Sequence, residues 1–158
     1  MPGDVMVFDV SQDWATACDV QRGFMNQSMQ TSDPWEYSAR CRQVNELGGD
    51  CFDFVPLPGN RLALAIGDAS GKSLPAALMI ANVQSSLRTA ALFAGNNVAA
   101  VVEAVNCQVH ASSLAGRYAT LFYGAFDGAT RKLRYVNAGH NPPIVIREEG
   151  SARRSLIC

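Results

Sequence analysis

One stretch near the middle of the chain constrains the fold most, because it places an acidic turn between two elements of different periodicity. Residues 62–66 form a short apolar run that predicts a buried strand, and residues 74–94 have the apolar spacing of a long, largely buried helix. Ser73 suits the N-cap of that helix, and Pro75 suits its first turn, where a missing N–H is tolerated. Asp68 is therefore expected at a strand end, in a glycine-flanked turn just before a helix.

Three interpretations of Asp68 compete. A turn residue that bonds its own backbone is the plainest of them. A phosphate-binding P-loop needs Gly-x-x-x-x-Gly-Lys-Ser/Thr, but Ile66 stands where the first glycine belongs, and a carboxylate in that loop would repel a triphosphate. The third interpretation is a ligand for a hard divalent cation, because such cations prefer carboxylate and carbonyl oxygens. The local sequence excludes the P-loop and supports the turn and the metal ligand equally.

A second carboxylate favours the metal. Two glycines precede Asp50, which begins a predicted strand that a Pro-Gly-Asn turn joins to the strand ending near Asp68. In an antiparallel pair the start of the first strand lies beside the end of the second, so the two acids should be neighbours. Neighbouring acids repel unless a cation or a shared proton lies between them, and a metal is the simpler answer. Asp53 is a weaker candidate, since three residues along a strand place it on the opposite face from Asp50.

Composition restricts the class of protein. A chain of 158 residues with 48% hydrophobic residues suits one domain with a sizeable core. Thirteen basic and fourteen acidic residues give a net charge of −1, which predicts neither a nucleic-acid partner nor an anionic membrane surface. No apolar run has the length of a bilayer span, and the N-terminus lacks the basic start of a signal peptide. Five cysteines without a Cys-x-x-Cys pair predict free thiols and a cytoplasmic location.

The rest of the chain predicts two more helices and further strands. Each is indicated by its apolar period and by the turn residues at its ends. In chain order they are a helix over residues 10–30, a half-exposed strand over 35–41, a helix over 98–109, and strands over 119–126, 133–138 and 144–146.

Neither histidine is assigned a catalytic role from the sequence alone. His140 stands among a glycine, an asparagine and two prolines, and it could act as an acid or as a metal ligand. The surrounding residues predict a turn first, so we favour structure over catalysis. His110 belongs to no motif and is expected at the surface.

Three ordered motifs resemble one family. Residues 47–54 (LGGDCFDF), 66–78 (IGDASGKSLPAAL) and 135–143 (YVNAGHNPP) resemble the bacterial SpoIIE/RsbU-type branch of the PP2C-like (PPM) serine/threonine phosphatases. Val20-Gln21 and Phe24-Met25 are similar to the segment that precedes that domain. The resemblance implies an α+β fold, a PP2C-like sandwich of two antiparallel β-sheets flanked by helices. It also implies an N-terminal linker helix over residues 1–30 and the N-terminal part of the phosphatase domain over 31–158.

The resemblance also implies a chemistry. Family members hydrolyse phosphoserine or phosphothreonine by metal-activated water, with two Mn²⁺ or Mg²⁺ ions in the complete domain. By motif position Asp68 would bridge both ions, Ala69 would offer its backbone carbonyl, and Asp50 would serve one ion. The implied substrate is a phosphorylated protein, typically a STAS-type anti-anti-sigma factor in a partner-switching sigma-factor pathway.

Three departures from the family pattern stand out. Cys51 replaces an aromatic residue, and Ser70 stands where eukaryotic PP2C enzymes carry a histidine proton donor. The family's later Thr-Asp-Gly motif and final aspartate are absent, so we expect a sandwich that is incomplete at the C-terminus and a chain that is weak or inactive alone. Uncovered sheet edges would favour self-association as a homodimer. The alternative is a catalytically incomplete PP2C-like fragment that acts as a protein-interaction module.

Overall fold

A computed structural model describes residues 10–25, 30–32, 35–43, 46–94, 96–147 and 154–157. These residues contain three helices and eight strands. The helices are α1 (Val10–Met25), α2 (Ser73–Ala94) and α3 (Val98–Ser112). The strands are β1 (Gln30–Ser32), β2 (Trp35–Tyr37), β3 (Asp50–Leu57), β4 (Arg61–Ala69), β5 (Ala119–Asp127), β6 (Lys132–Ala138), β7 (Ile144–Arg147) and β8 (Arg154–Ile157).

A four-stranded antiparallel sheet in the order β3-β4-β5-β6 forms the centre of the fold, as the predicted hairpins require. The β3–β4 turn contains Gly59 and Asn60, both at positive φ (78° and 56°), a conformation that glycine and asparagine tolerate best. In the second hairpin, the Asp127 carboxylate accepts the N–H groups of Ala129 and Thr130, and these bonds stabilise the turn between β5 and β6. β1 pairs with β2 and β7 with β8 as separate two-stranded sheets.

Helices α2 and α3 pack on one face of this sheet. Small side chains such as Ala63 and Ala65 of β4 face Ile80, Val83 and other apolar residues of α2 in one buried cluster. Burial of each large apolar side chain contributes about 1.5–3 kcal/mol. Because side chains alternate along a strand, the even-numbered residues of β3 and β4 lie on the opposite face, away from these helices.

Three predictions about local structure were wrong. The alternating pattern from residue 35 gives a strand only as far as Tyr37, and residues 38–43 have no regular structure. Ser73 begins α2 at φ 58° rather than in the extended conformation of a usual N-cap. Asp68 lies within the β4 ladder and not in a turn, because the strand continues through Ala69.

Helix α2 is also less buried than expected. Its sheet-facing side is covered, but Leu78 is 65% exposed, Leu92 59% and Phe93 87%. The sheet, α3 and α1 each cover part of the helix surface, and apolar residues outside these contacts meet solvent. None of the helices in the described ranges combines the length and apolarity needed to cross a bilayer.

Candidate metal centre

The Asp50 and Asp68 side chains lie side by side at one end of the sheet. The β3–β4 register pairs Asp50 directly with Asp68, and both residues are exposed. Directly opposite residues in an antiparallel pair share a face, with Cβ atoms about 4.5–5.5 Å apart. The expectation that these carboxylates are neighbours is confirmed, and both lie on the face away from α2 and α3.

The electrostatics of this pair fit a bound cation. The pKa of Asp50 is raised, first by partial burial and then by the negative charge of Asp68, while His140 lowers it. No described residue forms an ion pair with either carboxylate. A divalent cation between the two acids would remove the repulsion that the fold leaves uncompensated.

A backbone oxygen lies beside the pair. The Ala69 N–H donates to the Gly49 carbonyl at 2.9 Å, which joins the residue before Asp50 to the residue after Asp68. A Cβ atom at residue 49 would stand 2.6 Å from the Ala69 carbonyl oxygen, so this contact requires glycine. Of the two glycines before Asp50, Gly49 is therefore needed because the backbone of Ala69 lies so close to it. This close approach brings the Ala69 carbonyl to the segment that carries Asp50.

Helix α1 holds the segment before Asp50. Gln21 is 6% exposed, and its Nε2 donates to the Gly48 carbonyl at 2.7 Å while its Oε1 accepts the Gly48 N–H at 3.1 Å. Gln43 Nε2 donates to the Asp50 carbonyl at 2.9 Å. Sequence reasoning assigned Gln21 no role of its own, because a polar residue in an amphipathic helix usually faces solvent. Its only signal was its place in the motif that resembles the family.

The polar end of the sheet continues across β5. Thr120 is the register partner of Asp68, and its Oγ1 forms a 2.8 Å hydrogen bond with His140 Nδ1. His140 does take part in a turn, since its N–H donates to Asn137 Oδ1 at 2.8 Å and its carbonyl accepts from Asn137 Nδ2 at 3.0 Å. The structure thus brings His140 to the same end of the sheet as the acid pair. Local sequence could not show this, because it depends on the register of β4 with β5.

Asp53 and His110 lie elsewhere, as expected. The Asp53 carboxylate is on the helix side of the sheet, 1% exposed, and accepts from Arg88 Nε at 2.6 Å and from Arg88 Nη2 at 2.8 Å. His110 is exposed on α3. Neither belongs to the candidate centre.

The oxygen ligands at this site suit one hard divalent cation, but they are too few to hold two. Asp50, Asp68 and the Ala69 carbonyl offer oxygen ligands, which Mg²⁺ and Mn²⁺ prefer. Within the described ranges, no group of three or more His, Cys, Asp or Glu side chains could hold a metal ion. These residues therefore fit part of a metal centre.

A solved structure shows the class of fold. The chain is similar to the crystal structure of the RsbU and RsbW domains of Rv1364c from Mycobacterium tuberculosis, with a TM-score of 0.57 and 33% sequence identity. The similarity covers 66% of this chain and 28% of that one. The chain has an α+β fold of the PP2C-like type, as the motifs implied.

The family follows from a match to a family model. The model for stage II sporulation protein E (SpoIIE) matches residues 58–157, which is more than half of the chain, and the chain belongs to the SpoIIE family. It is 26% identical to Protein IcfG of Synechocystis sp. and 22% identical to the phosphoserine phosphatase RsbU of Bacillus subtilis, each over 85% of its own length. It spans 25% of the first relative and 39% of the second.

Proposed function

We propose that this chain is part of a metal-dependent protein phosphatase that hydrolyses phosphoserine or phosphothreonine. The observation that carries the proposal is the pairing of Asp50 with Asp68 at the end of the β3–β4 hairpin. Membership of the SpoIIE family and the similarity to the phosphoserine phosphatase RsbU support it. In this proposal Asp50 and Asp68 are catalytic residues because their carboxylates hold the metal.

In this site the chain's own residues would hold and place Mn²⁺ or Mg²⁺. Asp68 and Asp50 supply negative charge, and the contact between Gly49 and Ala69 fixes a carbonyl oxygen beside them. Such ions, when bound, lower the pKa of water and neutralise phosphoryl oxygens. A centre for two such ions would need more carboxylates than the described residues supply. We therefore expect the 158-residue chain alone to be a weak enzyme.

We further propose that the substrate is a phosphorylated protein of a partner-switching sigma-factor pathway in the bacterial cytoplasm, of the STAS anti-anti-sigma type. Two similar proteins support this assignment. One relative is the phosphoserine phosphatase RsbU, and the solved neighbour contains both an RsbU and an RsbW domain. A purified, phosphorylated STAS protein, incubated with the chain and Mn²⁺, should lose its phosphate.

A second candidate function is an interaction module without catalysis. The short donor set among the described residues favours it, as do the exposed apolar side chains on α2. Leu78, Leu92 and Phe93 are more than half exposed. Exposed apolar side chains on one helix are typical of a surface that binds another protein. Self-association as a homodimer would cover such a surface.

Hydrolysis of p-nitrophenyl phosphate separates the two candidates. We expect slow Mn²⁺-dependent turnover by the chain, and faster turnover by a longer protein that contains it. Asp68→Asn should abolish turnover in both, because it keeps the shape of the side chain but removes its charge. Asp127→Asn is the matched control, since Asp127 lies at the other end of the sheet, opposite Arg61. Turnover that Asp68→Asn leaves unchanged would refute the phosphatase proposal.

A further inference from the structure

The ring of His140 is fixed independently of the turn that contains the residue. The turn is closed by the main chain of His140 and the side chain of Asn137, in two hydrogen bonds that any residue other than proline could form at position 140. Gly139 at φ 78° lets the chain leave β6 in this direction. The imidazole has a separate bond, from Nδ1 to Thr120 Oγ1 at 2.8 Å. The ring is therefore held by a contact that the turn does not need.

That contact places the ring in line with the acid pair. Asp50 pairs with Asp68 across β3 and β4, and Asp68 pairs with Thr120 across β4 and β5. Thr120 then bonds His140, which follows the last residue of β6 by two positions. The four residues form one polar row across the end of the sheet.

The second ring nitrogen of His140 is available to a ligand. With Nδ1 bonded to Thr120, no described residue forms a hydrogen bond with Nε2. The imidazole is half-buried and thus reachable from the surface. A bond from Nδ1 to a hydroxyl also orients an imidazole, so that Nε2 is presented in a fixed direction.

Other candidates for a proton donor near Asp68 are already engaged. Ser70 Oγ accepts the Tyr118 N–H at 3.0 Å, the Ser70 N–H donates to the Tyr118 carbonyl at 2.8 Å, and the Ser70 carbonyl accepts from Arg117 at 3.3 Å. These bonds join the loop after β4 to the loop before β5. Ser70 therefore serves structure, and a serine hydroxyl is a poor acid near neutral pH. Of the two histidines in the chain, only His140 lies at this end of the sheet.

We infer that His140 is a further catalytic residue of the site and donates the Nε2 proton to the serine or threonine oxygen that leaves phosphorus. This inference rests on the proposed phosphatase function. The oxygen of water forms a new bond to phosphorus as the phosphorus–ester oxygen bond breaks. The ester oxygen takes its proton from the imidazolium, and the proton that water loses restores the imidazolium through solvent. The sum is a phosphate ester plus water giving an alcohol plus inorganic phosphate, with no change of oxidation state. Thr120 is a positioning residue that orients the ring.

Two substrates with different leaving groups test this role. A phosphoserine peptide releases an alkoxide that needs a proton, whereas p-nitrophenyl phosphate releases a phenolate that leaves readily as an anion. General acid catalysis is worth about 10²–10⁴-fold. We expect His140→Gln to lower kcat on the peptide by about 10²-fold or more and on p-nitrophenyl phosphate by less than about tenfold. Thr120→Val should show the same substrate dependence with a smaller loss. His110→Gln, on the exposed face of α3, should match the wild type on both substrates.

The outcomes separate this inference from the function on which it rests. Equal losses on both substrates in His140→Gln and Thr120→Val would mean that the ring only supports the fold, and would overturn the inference. Unchanged activity on the peptide in His140→Gln would overturn it as well. If a longer protein that contains this chain showed no Mn²⁺-dependent hydrolysis of either substrate, the proposed function would be refuted, and the inference with it.

Discussion

Strand β3 carries two aspartates in opposite environments. Asp53 faces the helices, is 1% exposed and accepts two hydrogen bonds from Arg88. Asp50, on the other face, is exposed and lies opposite a second acid, Asp68. Asp53 is neutralised by a residue of the chain itself, whereas the charge of the Asp50–Asp68 pair has no such counterpart among the described residues. Asp53 therefore stabilises the fold, whereas the negative charge of Asp50 and Asp68 would have to be neutralised by a cation from outside the described chain.

This difference agrees with the physical cost of each arrangement. A buried carboxylate is tolerated when a guanidinium bonds both of its oxygens. Like charges directly opposite each other on neighbouring strands destabilise the pair. The like-charged pair at the end of the sheet is therefore unfavourable for folding. Unfavourable arrangements of this kind are expected at functional sites, and we interpret this end of the sheet as one.

A first test probes Cys51, which stands next to Asp50 but faces the core. Burial, followed by the charge of Asp53, raises the pKa of the Cys51 thiol to about 12, and the side chain is 6% exposed. At pH 8 its thiolate population should be about a thousandfold below that of an ordinary thiol, whose pKa is 9.0. We expect iodoacetamide to label the exposed Cys107 and to leave Cys51 unlabelled until the protein is unfolded, as read by peptide mass spectrometry. Rapid labelling of Cys51 in the folded chain would contradict the assignment of faces along β3.

A second test removes the guanidinium that neutralises Asp53. Arg88→Met keeps the length of the side chain but leaves a buried carboxylate without its main partner, which typically costs about 3–5 kcal/mol. Because Arg88 itself is 46% exposed, we expect the lower end, about 3 kcal/mol, in urea unfolding. Arg22→Met is the control, since Arg22 pairs with Asp19 at the surface and should cost less than about 1 kcal/mol. Equal losses in the two variants would show that the buried pair is not the stabilising one.

Much of this arrangement followed from the sequence. The lengths of two strands and the turn between them were enough to place Asp50 beside Asp68, because hairpin pairing is local. The position of His140 at the same end of the sheet as Asp68 depends on the register of β4 with β5, which are joined by two long helices, and no local pattern encodes that. Gln21 was missed for a similar reason, since its partner, Gly48, is 27 residues away.

A third test measures the cost of the acid pair itself. Asp50→Asn removes the repulsion from Asp68, so in a chelator it should raise the free energy of unfolding by about 0.5–1 kcal/mol. The same change should weaken the stabilisation that added Mn²⁺ gives to the wild type, because a ligand that binds only the folded state stabilises it. A loss of stability in chelator would mean that Asp50 has a favourable structural partner, contrary to the comparison with Asp53.

Direct measurement of Mn²⁺ binding tests the central claim, that the Asp50–Asp68 pair is a cation site. Electron paramagnetic resonance reports free Mn²⁺ during a titration and needs no catalytic activity. We predict that the wild-type chain binds Mn²⁺, that Asp68→Asn loses at least about tenfold in affinity, and that Asp127→Asn binds like the wild type. Wild-type affinity in Asp68→Asn, or no binding by the wild type at all, would contradict the account.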